Sequence, residues 1–137
     1  MPSGSQRALK RQRGFTLIEL LVVCAIIGIL SAAAVANYRR SIIKAKEAVL
    51  QQDLYTMRTL INQYFADKGK YPSDITSLVD DHYLSAVPKD PFTESADTWV
   101  TEQAEQDESD ITTEPGIANV RSGADGTSLD GRNYSEF

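Results

Sequence analysis

The segment from Phe15 to Ala36 constrains this chain more than any other. It holds 22 residues with a single charge, Glu19, and two hydroxyls, Thr16 and Ser31. A helix apolar on every side belongs in lipid or in a packed protein interior. This one would reach about 33 Å, enough to cross a hydrocarbon core of about 30 Å. The preceding residues are polar and carry Arg7, Lys10, Arg11 and Arg13 with no acid. Arg39, Arg40, Lys44 and Lys46 follow the run. Positive charge on both sides leaves orientation undecided by charge alone. The short N-terminal segment inside is the arrangement expected, because long segments translocate despite their charge. A secretory signal peptide fits less well: its small-residue cleavage site follows the apolar stretch. Here the run passes Ser31–Ala34 straight into a helical pattern.

That pattern places Val49, Leu50, Leu54, Met57, Leu60, Ile61, Tyr64 and Phe65 at spacings of three and four, one apolar face of a helix. No Pro or Gly interrupts the chain between Ile29 and Lys68. One helix of about 50 residues is expected, from near Phe15 to near Asp67 and roughly 75–80 Å long. Residues 15–36 form its apolar half and 37–68 its amphipathic half, and Gly69 and Pro72 end it. Tyr55, Tyr64 and Phe65 are expected in the core beneath the globular part. Residues 69–137 read as that globular part. Asp74–Leu84 predicts a short helix with Ile75, Leu78 and Val79 on one side. Val87–Phe92 is a turn-rich connector, and strands are expected around Trp99–Val100 and at Ile117–Val120. Residues 101–116 hold six acids and almost nothing apolar, which marks a loop; Gly123–Gly131 reads as a second, folded loop. The fold class is therefore α+β: a long N-terminal helix whose amphipathic half is covered by a small antiparallel sheet.

Composition narrows the function. The chain has 137 residues, enough for one modest domain. Residues 90–137 carry twelve acids against Arg121 and Arg132. Such a surface argues against nucleic acid and permits a cation site. Cys24 is the only cysteine, so no intrachain disulfide forms; it reads as a small apolar side chain among packed helices. An exported domain without a disulfide must draw stability from packing on the long helix, from assembly, or from a metal. His82, beside Asp80 and Asp81, reads as a solvated helix end rather than a catalytic dyad. No Ser/His/Asp set, phosphate loop or His/Cys cluster is present, which speaks against an enzyme or a signal-anchored binding module.

The junction Arg13-Gly14-Phe15-Thr16-Leu17-Ile18-Glu19 carries chemistry. A basic segment ends at a glycine where the apolar helix starts. A protease at the membrane surface needs small, extended backbone there, and Gly14 supplies it. Cleavage after Gly14 would leave a new amino terminus at Phe15. Glu19 is costly in hydrocarbon unless it meets a partner. The α-amine of Phe15 on a neighbouring subunit is one candidate. Solvation at headgroup level is the other.

Gly14-Phe15-Thr16-Leu17-Ile18-Glu19 resembles the class III signal of type IV pilins and type II secretion pseudopilins. The resemblance implies a leader at 1–14, removal by prepilin peptidase between Gly14 and Phe15, N-methylation of Phe15, and a role for Glu19 in recruitment to a filament. Ala36 stands where many relatives have proline. Lys70-Tyr71-Pro72, Leu84–Phe92 and Ser122-Gly123-Ala124-Asp125-Gly126 resemble the major pseudopilin of type II secretion, with Phe92 where tryptophan is common. This resemblance implies calcium on the C-terminal loop, held by Asp125 and Asp130 with oxygens from Val120, Arg121 or Ser122; the residues alone favour an Asp-Gly turn capping a strand. It also implies a homopolymer through the N-terminal helix, an inner-membrane assembly platform and minor pseudopilins as partners. The location implied is single-pass in a bacterial inner membrane with the globular part periplasmic. A subunit of a periplasmic secretion filament is the function expected, and a surface type IV pilin for adhesion, motility or DNA uptake is the alternative.

Overall fold

A computed structural model describes residues 4, 14–106, 108, 109 and 114–137. Apart from Gly4 and Gly14, the expected leader lies outside the described residues, as do residues 107 and 110–113 of the acidic loop. The chain divides into a unit ending at Arg39 and a unit from Arg40 to Phe137.

Helix α1 runs from Leu17 to Lys68, 52 residues. It starts two residues later than expected because Thr16 caps it. It ends at Gly69, whose φ of +69° turns the chain and whose N–H still reaches the Phe65 carbonyl at 2.8 Å. Up to Arg39 every described side chain is exposed, and α1 is long and apolar enough to cross a membrane.

In the second unit, α1 buries Leu50, Leu54, Met57, Ile61 and Tyr64. Ile75, Leu78, Trp99, Ile117, Val120, Ala124, Tyr134 and Phe137 complete this core. Tyr55 departs from expectation and is 67% exposed. Each residue turns about 100° around a helix, so the neighbour of core Leu54 points away from it. Phe65 is also partly exposed, at 43%, and stacks on Tyr71 with ring centroids 4.4 Å apart.

Helix α2 is shorter than predicted, Ile75–Asp80. Asp74 caps its start, accepting the Ser77 N–H at 2.8 Å and the Thr76 hydroxyl at 2.6 Å. Its end is set by His82 at φ +63°, with the Tyr83 and Leu84 N–H groups folding back onto the Leu78 carbonyl. That turn swings Tyr83 and Leu84 onto the core instead of continuing the helix.

Strands β1 (Val100–Gln103) and β2 (Ile117–Arg121) pair antiparallel as a two-stranded sheet, with Thr101 opposite Val120 and an irregularity at Glu102/Gln103. Trp99 immediately precedes β1, and its indole N–H donates to the Pro88 carbonyl at 2.8 Å. Gly123 packs so tightly on the strand's approach that a Cβ there would lie 2.0 Å from the Thr98 carbonyl oxygen. Only glycine fits this position of the Ser122–Gly126 segment without backbone movement.

Candidate processing and assembly site

Thr16 builds the start of α1. Its Oγ1 accepts the Glu19 N–H at 3.2 Å, and its carbonyl accepts the Leu20 N–H at 3.1 Å. Thr16 and Glu19 are thus spaced as a capping box, Thr-x-x-Glu, with the threonine half formed. The Thr-x-x-Glu spacing signals this cap in the sequence, beside the expected role of Glu19 as a partner for an amine. The Glu19 carboxylate has no partner among the described residues. It sits in the first helical turn, where unpaired N–H groups concentrate positive charge and favour an acid.

Gly14 and Phe15 precede the cap in non-helical backbone, both exposed, Phe15 at 84%. A Cβ at Gly14 would meet nothing within 4 Å. The chain's own packing therefore does not demand glycine there. The junction offers an accessible peptide bond two residues ahead of a capped helix.

The donors expected for calcium lie in the second unit, and most are already engaged. The Val120 carbonyl accepts from Arg58 Nε at 3.1 Å and Nη2 at 2.8 Å. The buried Ser122 hydroxyl donates to the buried Asp90 carboxylate at 2.5 Å and accepts the Ala124 N–H at 3.1 Å. Asp130 Oδ1 takes the Ser128 hydroxyl and the Arg132 N–H, while its Oδ2 takes Arg132 Nε at 3.0 Å. The Ser128 hydroxyl first, and then Arg132, hold the Asp130 carboxyl down at about 2. Asp125 is exposed and stands apart from these contacts. Among the described residues no three His, Cys, Asp or Glu side chains converge to hold a metal. Calcium takes six to eight oxygens, and these four donors do not offer that set as they stand.

Residues not singled out from the sequence organise this end of the molecule. Glu47 Oε1 accepts the Leu129 N–H at 2.9 Å and the Tyr134 hydroxyl at 3.1 Å. Arg58 also donates to Asn119 Oδ1 at 2.8 Å and to the Phe137 carbonyl at 2.6 Å. Burial and the nearby Arg121 guanidinium pull the Arg58 pKa below its ordinary value, with Glu102 opposing. The available signal was phase: Glu47 and Arg58 fall on the stripe of Leu50, Leu54, Met57 and Ile61. Phe92 stacks on Tyr134 with ring centroids 4.1 Å apart.

Comparison with known proteins agrees with the N-terminal geometry. A family profile described as the prokaryotic N-terminal methylation motif matches residues 9–35. The chain is 30% identical over 102 residues to type II secretion system core protein G of Escherichia coli, a match covering 63% of this chain and 70% of that protein. It is 31% identical over 98 residues to the protein of that name from Pectobacterium carotovorum, covering 60% and 63%. It is 41% identical over 61 residues to the type IV major pilin protein PilA of Myxococcus xanthus, covering 44% and 28%. The chain thus spans less than two thirds of the Myxococcus and Pectobacterium relatives. No solved structure matches it significantly. The long N-terminal helix, the small antiparallel sheet and these relatives place the chain in the type IV pilin and pseudopilin family. It is a structural subunit of that family and not an enzyme.

Proposed function

We propose that this chain is the precursor of a subunit of a type II secretion pseudopilus. Prepilin peptidase cuts the Gly14–Phe15 bond, and Phe15 is then N-methylated. Residues 15–36 hold the subunit in the inner membrane with its second unit in the periplasm. Subunits then leave lipid for a helical filament. That transfer exchanges one apolar surrounding for another, so packing and polar contacts must drive it. The new Phe15 amine lies at the positive end of α1, an unfavourable place for a cation. A neighbour's Glu19 carboxylate offsets that charge, and Glu19 has no competing partner among the described residues of its own chain. A repeated contact of this kind that does not close on itself yields a helical filament.

The observation that carries the secretion reading is the reach of the matches. The secretion relatives align over 98–102 residues, whereas the Myxococcus pilin aligns over 61. The higher identity of that pilin, 41%, favours the second reading, a surface type IV pilin. Deleting the gene in its host separates the two. The secretion reading expects exported proteins to accumulate in the periplasm while surface pili persist. Loss of pili with intact export would assign the chain to the surface pilus instead.

A further inference from the structure

The C-terminal loop already contains a cation. Thr127 and Asn133 bridge its base. Ser128 and Arg132 bond across it, the Ser128 N–H reaching the Arg132 carbonyl at 2.7 Å. Gly131, at φ +92°, makes the turn and donates to the Ser128 carbonyl at 3.0 Å. Inside this frame the Arg132 guanidinium sets Nε and Nη2 on one oxygen of Asp130, each at 3.0 Å. The same guanidinium lies over the Phe137 ring, 4.6 Å from its centroid. Phe137 is buried, and its carbonyl is held by Arg58, which also covers the Val120 carbonyl.

We propose that Arg132, seconded by Arg58, is the resident cation of this loop, so that the globular unit closes without a divalent metal. The chemistry is that of substitution. Asp130 and the Val120 carbonyl are the oxygens a metal would seek, and each faces a guanidinium. A divalent ion binding at either oxygen must strip those donors away and then sit beside a guanidinium, which repels it. Arg132 is also tethered two residues from its carboxylate, so little side-chain freedom is lost in forming the pair. This assignment is independent of whether the filament serves secretion or the cell surface.

The test uses the full chain in detergent micelles, melted while the fluorescence of Trp99, the only tryptophan, is followed. Each protein is melted in chelator and in calcium at about 5 mM, above the weakest affinities usual for extracellular calcium sites. A ligand that binds only the folded state must raise the melting temperature. The wild type is expected to melt within about 1 °C in the two conditions, and Arg132→Gln about 4–8 °C lower in chelator. Arg132→Lys, which keeps the charge but loses the fork, should recover part of that loss. Asp130→Asn should cost a similar amount, and the double variant should lose less than the sum of the two. Two results overturn the proposal: a calcium-dependent rise of the wild type that Asp125→Asn abolishes, or an Arg132→Gln protein that melts like wild type in chelator. If Arg132→Gln does not fold, the wild-type calcium titration and Asp130→Asn still decide it.

Discussion

Arg58→Met keeps the aliphatic stem and removes every donor of the side chain. Those donors reach Asn119 Oδ1, the Val120 carbonyl twice and the Phe137 carbonyl, at 2.6–3.1 Å. Hydrogen bonds from a charged group contribute about 1.5–3 kcal/mol, and a buried acceptor left alone costs about 1–3 kcal/mol. The contributions of one side chain do not simply add. Val120 is fully buried, so its carbonyl loses its partner. Phe137 lines an open groove of about 430 Å³ with Gln51, Tyr55, Arg132 and Glu136, so water can replace the donor to its carbonyl. The net loss should be about 2–3 kcal/mol, which in a unit of this size lowers the melting temperature by ~10–20 °C. Trp99 reports it well, because its indole is buried and bonded to the Pro88 carbonyl. Arg58→Lys should fall between, since one ammonium cannot serve three separated acceptors in a fork. A loss for Arg58→Met below about 0.5 kcal/mol, the scale of an ordinary surface change, would refute the clamp.

Three further tests address the N-terminal site and α2. Gly14→Ala should leave precursor of full length in the membrane; since a Cβ there meets nothing, normal processing on a gel would remove Gly14 from the cleavage site. Glu19→Gln retains a residue suited to the third position of a capping box but loses the charge. It should be processed normally yet yield about tenfold fewer filaments, equivalent to ~1.4 kcal/mol per contact, and wild-type yield by electron microscopy would dismiss the amine pairing. Asp74, capping α2, has its carboxyl held below the ordinary value by the Thr76 hydroxyl first and the Ser77 N–H next. Its contribution is therefore complete above the unfolded pKa of about 4 and is lost as pH falls below it. Melts of Asp74→Asn at about pH 3 and pH 6 should show a smaller difference than wild type, and an unchanged difference would discount the cap.

The long helix was legible because its apolar spacing and the absence of Pro and Gly agree over its whole length. Spacing alone leaves the phase loose by a residue, which is why Tyr64 is buried and Tyr55 is not. β2 was legible from a short apolar run. β1 was legible only at Val100, because its other three residues, Thr101–Gln103, fall in the stretch expected to be an acidic loop, and the end of α2 was not legible. A left-handed His82 depends on the pull of Tyr83 and Leu84 toward the core, a tertiary effect. At the C-terminal loop the sequence shows donors without showing what they already hold. Arg132, two residues from Asp130, was in plain view, and its fork onto that carboxylate appears only when the turn at Gly131 is built. Glu47 and Arg58 interrupt an apolar stripe, and the sequence does not show which groups they hold across the fold.

Those two charges explain how the second unit, which contains no cysteine, manages without a disulfide. Glu47 and Arg58 are eleven positions apart, about three turns of 3.6 residues, so they share the side of α1 that carries Leu50, Leu54, Met57 and Ile61. Glu47 grips the loop at Leu129 and Tyr134, and Arg58 grips β2 at Val120 and the chain again at Phe137. The C-terminal segment is thus fixed along α1 at two heights, with Tyr134 and Phe137 packed at 5.7 Å between ring centroids. A disulfide would fix one point and would act largely by restricting the unfolded chain. Two polar clamps on an apolar stripe act in the folded state and set register as well as proximity. A sheet of only two strands needs that register, because such a ribbon is marginal without a partner surface to hold it.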